Sequence, residues 1–146
     1  MLQKAAIIVL NQNSVALGRQ IASALPGATV YGLLKRTTGV DRGFDNFGDT
    51  LRELFASGTP IVGVCAAGIL IRSLAPIISD KRQEPPVLAV AEDGSAVVPL
   101  LGGLHSVNDI ARLIAAVLEV PPAITTTGDI RFRTALLAPP KGYYLA

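Results

Sequence analysis

The sequence has one cysteine, one histidine, one methionine and no tryptophan among its 146 residues. A lone thiol, Cys65, cannot close an internal disulfide, and one cysteine with one histidine falls short of a closed zinc site of the Cys/His type. Aromatic residues make up 5% of the chain, too few for the stacking platforms that hold single-stranded nucleic acids. Charge of either sign is also sparse. The formal net charge is +2, and the arginines are dispersed along the chain, which argues against a nucleic-acid surface and for a small acidic ligand. Long apolar runs are missing too: half of the residues are hydrophobic, yet Gly, Pro or a charge breaks every run short of the ~20 residues a membrane span needs. The amino-terminal stretch has no cleavage site behind an apolar segment of export length. These features predict one cytoplasmic domain over residues 1–146 with a well-filled core, no membrane partner and no nucleic-acid partner.

What is present is a rhythm of short β-branched runs and amphipathic segments. KAAIIVL (Lys4 to Leu10) is an apolar run of strand length, the pattern of a strand covered on both faces in a parallel sheet. Asn11 to Asn13 breaks it, and Asn13 or Ser14 is placed to cap a helix whose Val15, Leu17, Ile21 and Leu25 share one face before Pro26 and Gly27 end it. ATVYGLL (Ala28 to Leu34) predicts a second strand. The polar stretch from Lys35 to Asp49 predicts a long loop of the kind that often borders a site. Leu51, Leu54 and Phe55 mark a second helix, and PIVGVC (Pro60 to Cys65) a third buried strand. A helix over Ile69 to Ile78, interrupted by Pro76, follows a glycine turn.

PPVLAV and AVVPL, joined through Glu92-Asp93-Gly94-Ser95, carry the Asp-Gly signal of an antiparallel hairpin. A helix from Val107 to Leu118, a short strand in PPAITTTGD and an edge strand in TALLAP complete the order. The alternation predicts an α/β fold, a doubly wound, mostly parallel, Rossmann-like three-layer sheet with one antiparallel hairpin.

Ligands of such sheets bind beyond the carboxyl ends of the strands. Three polar, glycine-bearing segments are expected on that rim: Cys65-Ala66-Ala67-Gly68, Gly102 to Asp109, and Thr125 to Asp129. Gly102 and Gly103 let a ligand approach the backbone, and the helix behind them offers free N–H groups to an anion. Alternatively the pair only makes a tight entry to the helix, with Ser106 as cap and Asp109 as its third-position partner. The spacing matches neither a dinucleotide fingerprint nor a Walker loop.

His105 is of the residue type that titrates near neutrality, suited to general-base work or to closing a surface turn. Cys65 reads either as a nucleophile activated by the next helix or as an apolar filler. Arg72 can hold a carboxylate bidentately or pair with Asp80. Thr126, Thr127 and Asp129 can serve a ligand or close a turn.

From Gly63 to Asp129 the chain carries IRSLAPIISDKRQEPPVLAVAEDGSAVVPLLGG, then HSVNDIARLIAAVL, then AITTTGD. Several linked motifs in this order and spacing resemble the N-terminal part of the CbiG family of cobalamin biosynthesis proteins, over roughly half of the chain. The remainder, with FDNFGDTLRELFASGTPIVGVCAAG and the tail PPKGYYLA, resembles the N-terminal extension that some bacteria fuse to precorrin-3B C17-methyltransferase. The resemblance implies a role in corrin biosynthesis. CbiG-type proteins open the δ-lactone on ring A of cobalt-precorrin-5A and release the extruded two-carbon fragment as acetaldehyde.

By the same resemblance the methyltransferase domain is not present in this chain, and its S-adenosylmethionine is expected only there, with no cofactor in this domain. The implied partners are a precorrin-type tetrapyrrole and a fused or associated methyltransferase, with a homo-oligomer compatible. The implied site has His105 as general base and Asn108 as orienter or oxyanion donor. Cys65, Ala66, Ala67, Gly68, Arg72, Gly102, Gly103, Ser106, Thr126, Thr127 and Asp129 are its substrate-binding residues, and it has no metal. Where many relatives show SGHLGGAN or GGHHGAN this chain has GGLHSVND, with Leu104 in place of a leading histidine while His105 and Asn108 remain. Two readings therefore stand, a lactone hydrolase and a non-catalytic substrate-handling or docking module.

Overall fold

Four apolar residues in a row cannot alternate between core and solvent, so runs such as AIIV, IVGV and VLAV need cover on both faces. In the computed structural model, which describes residues 4–126, they have it. The elements are β1 (Ala6–Val9), α1 (Val15–Ala24), β2 (Thr29–Leu33), β3 (Arg42–Phe44), α2 (Phe47–Ala56), β4 (Ile61–Val64), α3 (Ala67–Leu74), β5 (Val87–Val90), β6 (Val97–Leu101) and α4 (Val107–Leu118). Every residue of β1, β4 and β5 is buried. The sheet order is β3-β2-β1-β4-β5-β6, parallel through β5, with β6 antiparallel to β5. The doubly wound, mostly parallel sheet and its single hairpin stand as expected from sequence.

Successive side chains of a strand point to opposite faces, and the core divides accordingly. Ile7 and Val9 of β1 join Ile21 of α1 and Ile110 and Ile114 of α4 on one side. Ala6 and Ile8 join Leu51 and Phe55 of α2 and Leu70 and Leu74 of α3 on the other. Each fully buried Ile or Leu contributes ~1.5–3 kcal/mol of transfer free energy. Gly18 sets how closely α1 lies on the sheet, since a Cβ there would come 2.9 Å from Val9 Cγ1.

Four local expectations need correction. The segment from Lys35 to Asp49 is not all loop, because β3 lies within it, held by long-range polar contacts that leave no pattern in the sequence. Arg19 of α1 pairs with Asp41 at 2.9 Å, and Asp41 accepts from the Val30 N–H at 2.8 Å, drawing the chain back to β2. PPAITTTGD forms no strand within its described part. One bridge joins Pro122 to Val97, and the two prolines have no N–H to extend it. The helix after Cys65 ends at Leu74, and Ala75–Ile77 form a 3-10 turn around Pro76. Of the two expected caps of α1, Ser14 holds the cap position but its side chain makes no capping bond; Asn11 caps the 3-10 turn Gln12–Ser14 ahead of it, accepting from Ser14 N–H at 3.1 Å. TALLAP lies outside the described residues. Among those residues no helix is long and apolar enough to cross a membrane.

The Val30 amide first, and then the Arg19 guanidinium, hold the Asp41 carboxyl below the usual carboxylate range. A carboxylate with a lower pKa folded than unfolded adds stability above its unfolded value, and that stability is lost as pH falls through the folded value. Asp41→Asn is therefore expected to lower the melting temperature at neutral pH and to leave it nearly unchanged in strong acid. Thermal unfolding followed by circular dichroism across pH checks this; an equal loss at both ends would point to packing instead of charge.

Candidate functional site

The direction of β6 decides where the site lies. Val90 stands opposite Val97 and Val87 opposite Leu101, so β6 ends beside the start of β5. Gly102 and everything up to the first turn of α4 therefore sit at the amino-end rim of the parallel strands, the opposite edge from Cys65. The expected single pocket divides in two. Cys65, Ala66, Ala67 and Gly68, with Arg72 on α3, belong to the carboxyl-end rim. Gly102, Gly103, His105, Ser106 and Asn108 gather at the other, and Thr126 joins them because Asn108 Nδ2 donates to Thr126 Oγ1 at 2.8 Å. Thr127 and Asp129 lie outside the described residues.

At the amino-end rim the backbone makes a tight turn. Gly102 has φ +88°, and its carbonyl accepts from His105 N–H at 2.8 Å. A Cβ on Gly102 would stand 2.5 Å from Pro86 Cα and 2.7 Å from the Pro85 carbonyl oxygen. Here the glycine is required twice over, for its φ and for the close approach. Ser106 occupies the cap position of α4 in the left-handed region, with no side-chain bond to the helix. Asp109 is spent on Arg112, 3.1 Å away, so the expected capping box does not form. Of the first N–H groups of α4, that of Val107 goes to the Gly102 carbonyl at 3.4 Å, and those of Asn108 and Asp109 have no bond among the described residues.

A cleft of about 390 Å³ lies beside that helix end, with Ser106 and Ile110 in its lining. It is lined by Gly58 and Pro60, leading into β4, by Arg82 to Pro86, leading into β5, and by Leu104, His105, Ser106 and Ile110. His105 Nε2 lies 2.5 Å from the Arg82 carbonyl oxygen. A carbonyl can only accept, so Nε2 carries the proton and donates it, which leaves Nδ1 as the lone-pair nitrogen of the neutral ring. Arg82 pairs with Asp80 at 3.2 Å and is otherwise turned to solvent.

Glu84 is the residue that the sequence reading missed. It is only 8% exposed, lines the cleft, and its carboxylate has no hydrogen-bond or ion-pair partner among the described residues. The sequence signal was an acid between KRQ and a proline pair, which reads as surface until the fold brings it into one cleft lining with Ser106 and Ile110.

The carboxyl-end rim offers less. Burial first, and then the charge of Glu92, push the Cys65 thiol up to about 11. A thiol so disposed is a poor nucleophile at neutral pH, which corrects the nucleophile reading in favour of the apolar filler. Arg72 makes no pair with Asp80, which is taken by Arg82; its guanidinium lies back along α3 near Gly68.

Residues 49–129, more than half of the chain, match the model of the family described as cobalamin synthesis G N-terminal. The chain belongs to that family. Two curated relatives are named cobalt-precorrin-5A hydrolase. The protein of Salmonella typhimurium strain LT2 is 33% identical over 132 residues, which is 90% of this chain and 38% of the relative. That of Priestia megaterium is 26% identical over 133 residues, 86% of this chain and 36% of the relative. The chain therefore spans well under half the length of these relatives. A cobalamin biosynthesis protein G homologue of Sulfolobus solfataricus superimposes with a TM-score of 0.60 at 22% identity, covering 92% of this chain and 46% of that structure. At that identity it supports the fold of this family member.

Two outcomes test the geometry. Gly102→Ala is expected to cost ~2–3 kcal/mol or more by chemical denaturation, while Gly103→Ala, whose Cβ would meet nothing within 4 Å, stays within ~1 kcal/mol. In the native protein Cys65 should react with a soluble thiol reagent at pH 8 far more slowly than after unfolding in urea; equal rates would contradict the buried thiol.

Proposed function

We propose that the amino-end cleft holds a polycarboxylated precorrin-type tetrapyrrole and that the ring-A lactone is opened there. The family and the names of its curated relatives support corrin biosynthesis as the setting. The observation that carries the chemistry is the His105 Nε2 bond to the Arg82 carbonyl, which orients the ring and reserves Nδ1 as the base. Lactone opening needs a base for water and donors for the oxyanion. His105 Nδ1 takes a proton from water as its oxygen bonds to the acyl carbon. The developing negative oxygen is stabilised by the positive end of α4, whose Asn108 and Asp109 N–H groups have no bond among the described residues. The acyl C–O bond of the ring then breaks, the ring oxygen leaves as a hydroxyl by taking the proton from His105, and the new acid ionises. Asn108, tied to Thr126, holds this turn of helix in place.

Arg82 at the rim complements the acetate and propionate arms. In the longer protein a precorrin-3B C17-methyltransferase domain supplies methyl transfer from S-adenosylmethionine; that cofactor and its chemistry belong outside this domain. The setting is cytoplasmic. One observation favours a second reading: Leu104 stands 61% exposed on the cleft wall, an apolar contact where the family pattern has a histidine, which suits a substrate-handling or docking module.

His105→Gln and His105→Ala separate the two. Glutamine can still donate to the Arg82 carbonyl but cannot accept a proton as imidazole does. If the domain is a hydrolase, both variants lose lactone opening by ~10²-fold or more, with the dissociation constant for the lactone within a few-fold of wild type. The glutamine variant should keep its melting temperature. If turnover by the full protein is unchanged in both variants, the docking reading holds and the hydrolase reading falls.

A further inference from the structure

A helix start is ordinarily capped by a residue in the extended region, whose side-chain oxygen reaches the second or third N–H of the helix. Two polar caps of this chain follow that rule. Asn11 (φ −149°) accepts from Ser14 N–H at 3.1 Å, and Asn46 (φ −114°) accepts from Asp49 N–H at 2.9 Å. Ser106 holds the cap position of α4 with φ +73° and ψ +22°, and its hydroxyl bonds neither the helix nor any other described residue. That conformation is strained for a residue other than glycine. Lys35 and Glu119 share it among the described residues, but Glu119 closes α4, where a left-handed residue is ordinary, and Lys35 lies in the turn after β2; neither lines the cleft. Ser106 does, with His105. The Gly102 carbonyl accepts from His105 N–H at 2.8 Å and from Val107 N–H at 3.4 Å, which pins the chain on both sides of Ser106. A glycine here would relieve the strain, and an extended serine would cap the helix. The fold has neither benefit and keeps an unbonded hydroxyl next in sequence to the imidazole whose Nε2 is fixed on the Arg82 carbonyl.

We infer that Ser106 is a further catalytic residue, whose hydroxyl donates a hydrogen bond to the lactone carbonyl oxygen as that oxygen becomes an oxyanion. The inference rests on the functional reading above. As the oxygen of water bonds to the acyl carbon and its proton passes to His105 Nδ1, the π pair of the carbonyl moves on to the carbonyl oxygen. Ser106 Oγ keeps its proton throughout, and its hydrogen bond strengthens as the charge on its acceptor grows. When the acyl C–O bond breaks, the pair returns to the carbonyl, the ring oxygen takes the proton from His105, and Ser106 is left unchanged. Strained residues persist where their neighbours over-determine them, and they gather at active sites. Here the strain holds a donor off the helix and leaves it to the ligand.

The test compares Ser106→Gly and Ser106→Asn in the full chain, with the ring-A lactone of a precorrin-type tetrapyrrole as substrate. Glycine and asparagine both adopt the left-handed region readily, but only asparagine carries a donor. Ser106→Gly is expected to lower kcat by ~10²-fold or more, with KM and the calorimetric dissociation constant of the lactone within a few-fold of wild type. It should melt no lower than wild type, because the strain is relieved. Ser106→Asn should recover most of the lost kcat. A serine kept only for the shape of the turn would behave otherwise, with turnover following the melting temperature. A kcat within a few-fold of wild type in Ser106→Gly, a loss that appears equally in lactone binding, or an asparagine variant no better than the glycine one overturns the inference. The functional reading then still stands wherever His105→Gln has lost turnover. If wild type does not open the lactone, or His105→Gln opens it as well as wild type, that reading falls and the inference with it. Should Ser106→Gly not fold, Ser106→Ala against Ser106→Asn decides: equal kcat in the two defeats the proposal.

Discussion

The reversal of the chain at Asp93-Gly94 is the constraint on which the arrangement of this domain depends. Gly94 has φ +76°, Asp93 accepts from the Ser95 N–H at 2.9 Å, and Ala91 N–H is bonded to the Ala96 carbonyl. These contacts turn β6 back along β5. Every strand before it delivers its chain to the carboxyl-end rim; β6 alone delivers its chain to the other. α4 must then start at the amino-end rim and run antiparallel to α1, where Ile110 and Ile114 fill the layer that Ile21 begins. The tight turn at Gly102 against Pro85 and Pro86, the His105 bond to Arg82 and the cleft beneath the helix end all follow from that one change of direction.

The same reversal brings Ser106 and Ile110 at the start of α4 and Glu84 into the lining of one cleft. Gly58 and Pro60, entering β4, and Arg82 to Pro86, entering β5, share that lining. The Glu84 carboxylate has no hydrogen-bond or ion-pair partner among the described residues.

The elements legible in the sequence were those whose causes are local or face the core on both sides. β1, β4 and β5 announce themselves because a buried central strand must be apolar at every position, and the hairpin because Asp-Gly suits its turn. β3 did not, since Arg42 and Gly43 are exposed and only Phe44 is buried; the Arg19–Asp41 pair that holds it spans the gap between α1 and the loop. At the site, His105, Gly102, Gly103, Ser106, Asn108 and Thr126 were legible as residues and were brought together. Their association with Cys65, Ala66, Ala67, Gly68 and Arg72 failed for a single reason. An antiparallel final strand was expected, yet the segment after it was assigned to the rim that only parallel strands reach. Glu84 could not be read at all, because the burial of an acid is a property of what packs over it.

Doubly wound sheets usually bind at the carboxyl-end switch point, here between β1 and β4, so its weakness as a site in this chain needs a physical reason. The polar side chains nearest to it are already spent. Asn11 accepts from Ser14 N–H, Gln12 accepts from Thr38 N–H at 2.7 Å, and the Cys65 thiol is held in its protonated form by burial. These bonds stabilise loops, and a ligand arriving there would have to displace them. At the amino-end rim the balance is reversed: the helix end is without a side-chain cap, the histidine keeps a free nitrogen, and the carboxylate has no described partner. Binding is favoured where a ligand completes interactions that the folded chain leaves open, and in this domain that criterion selects the edge that strand direction alone would have passed over.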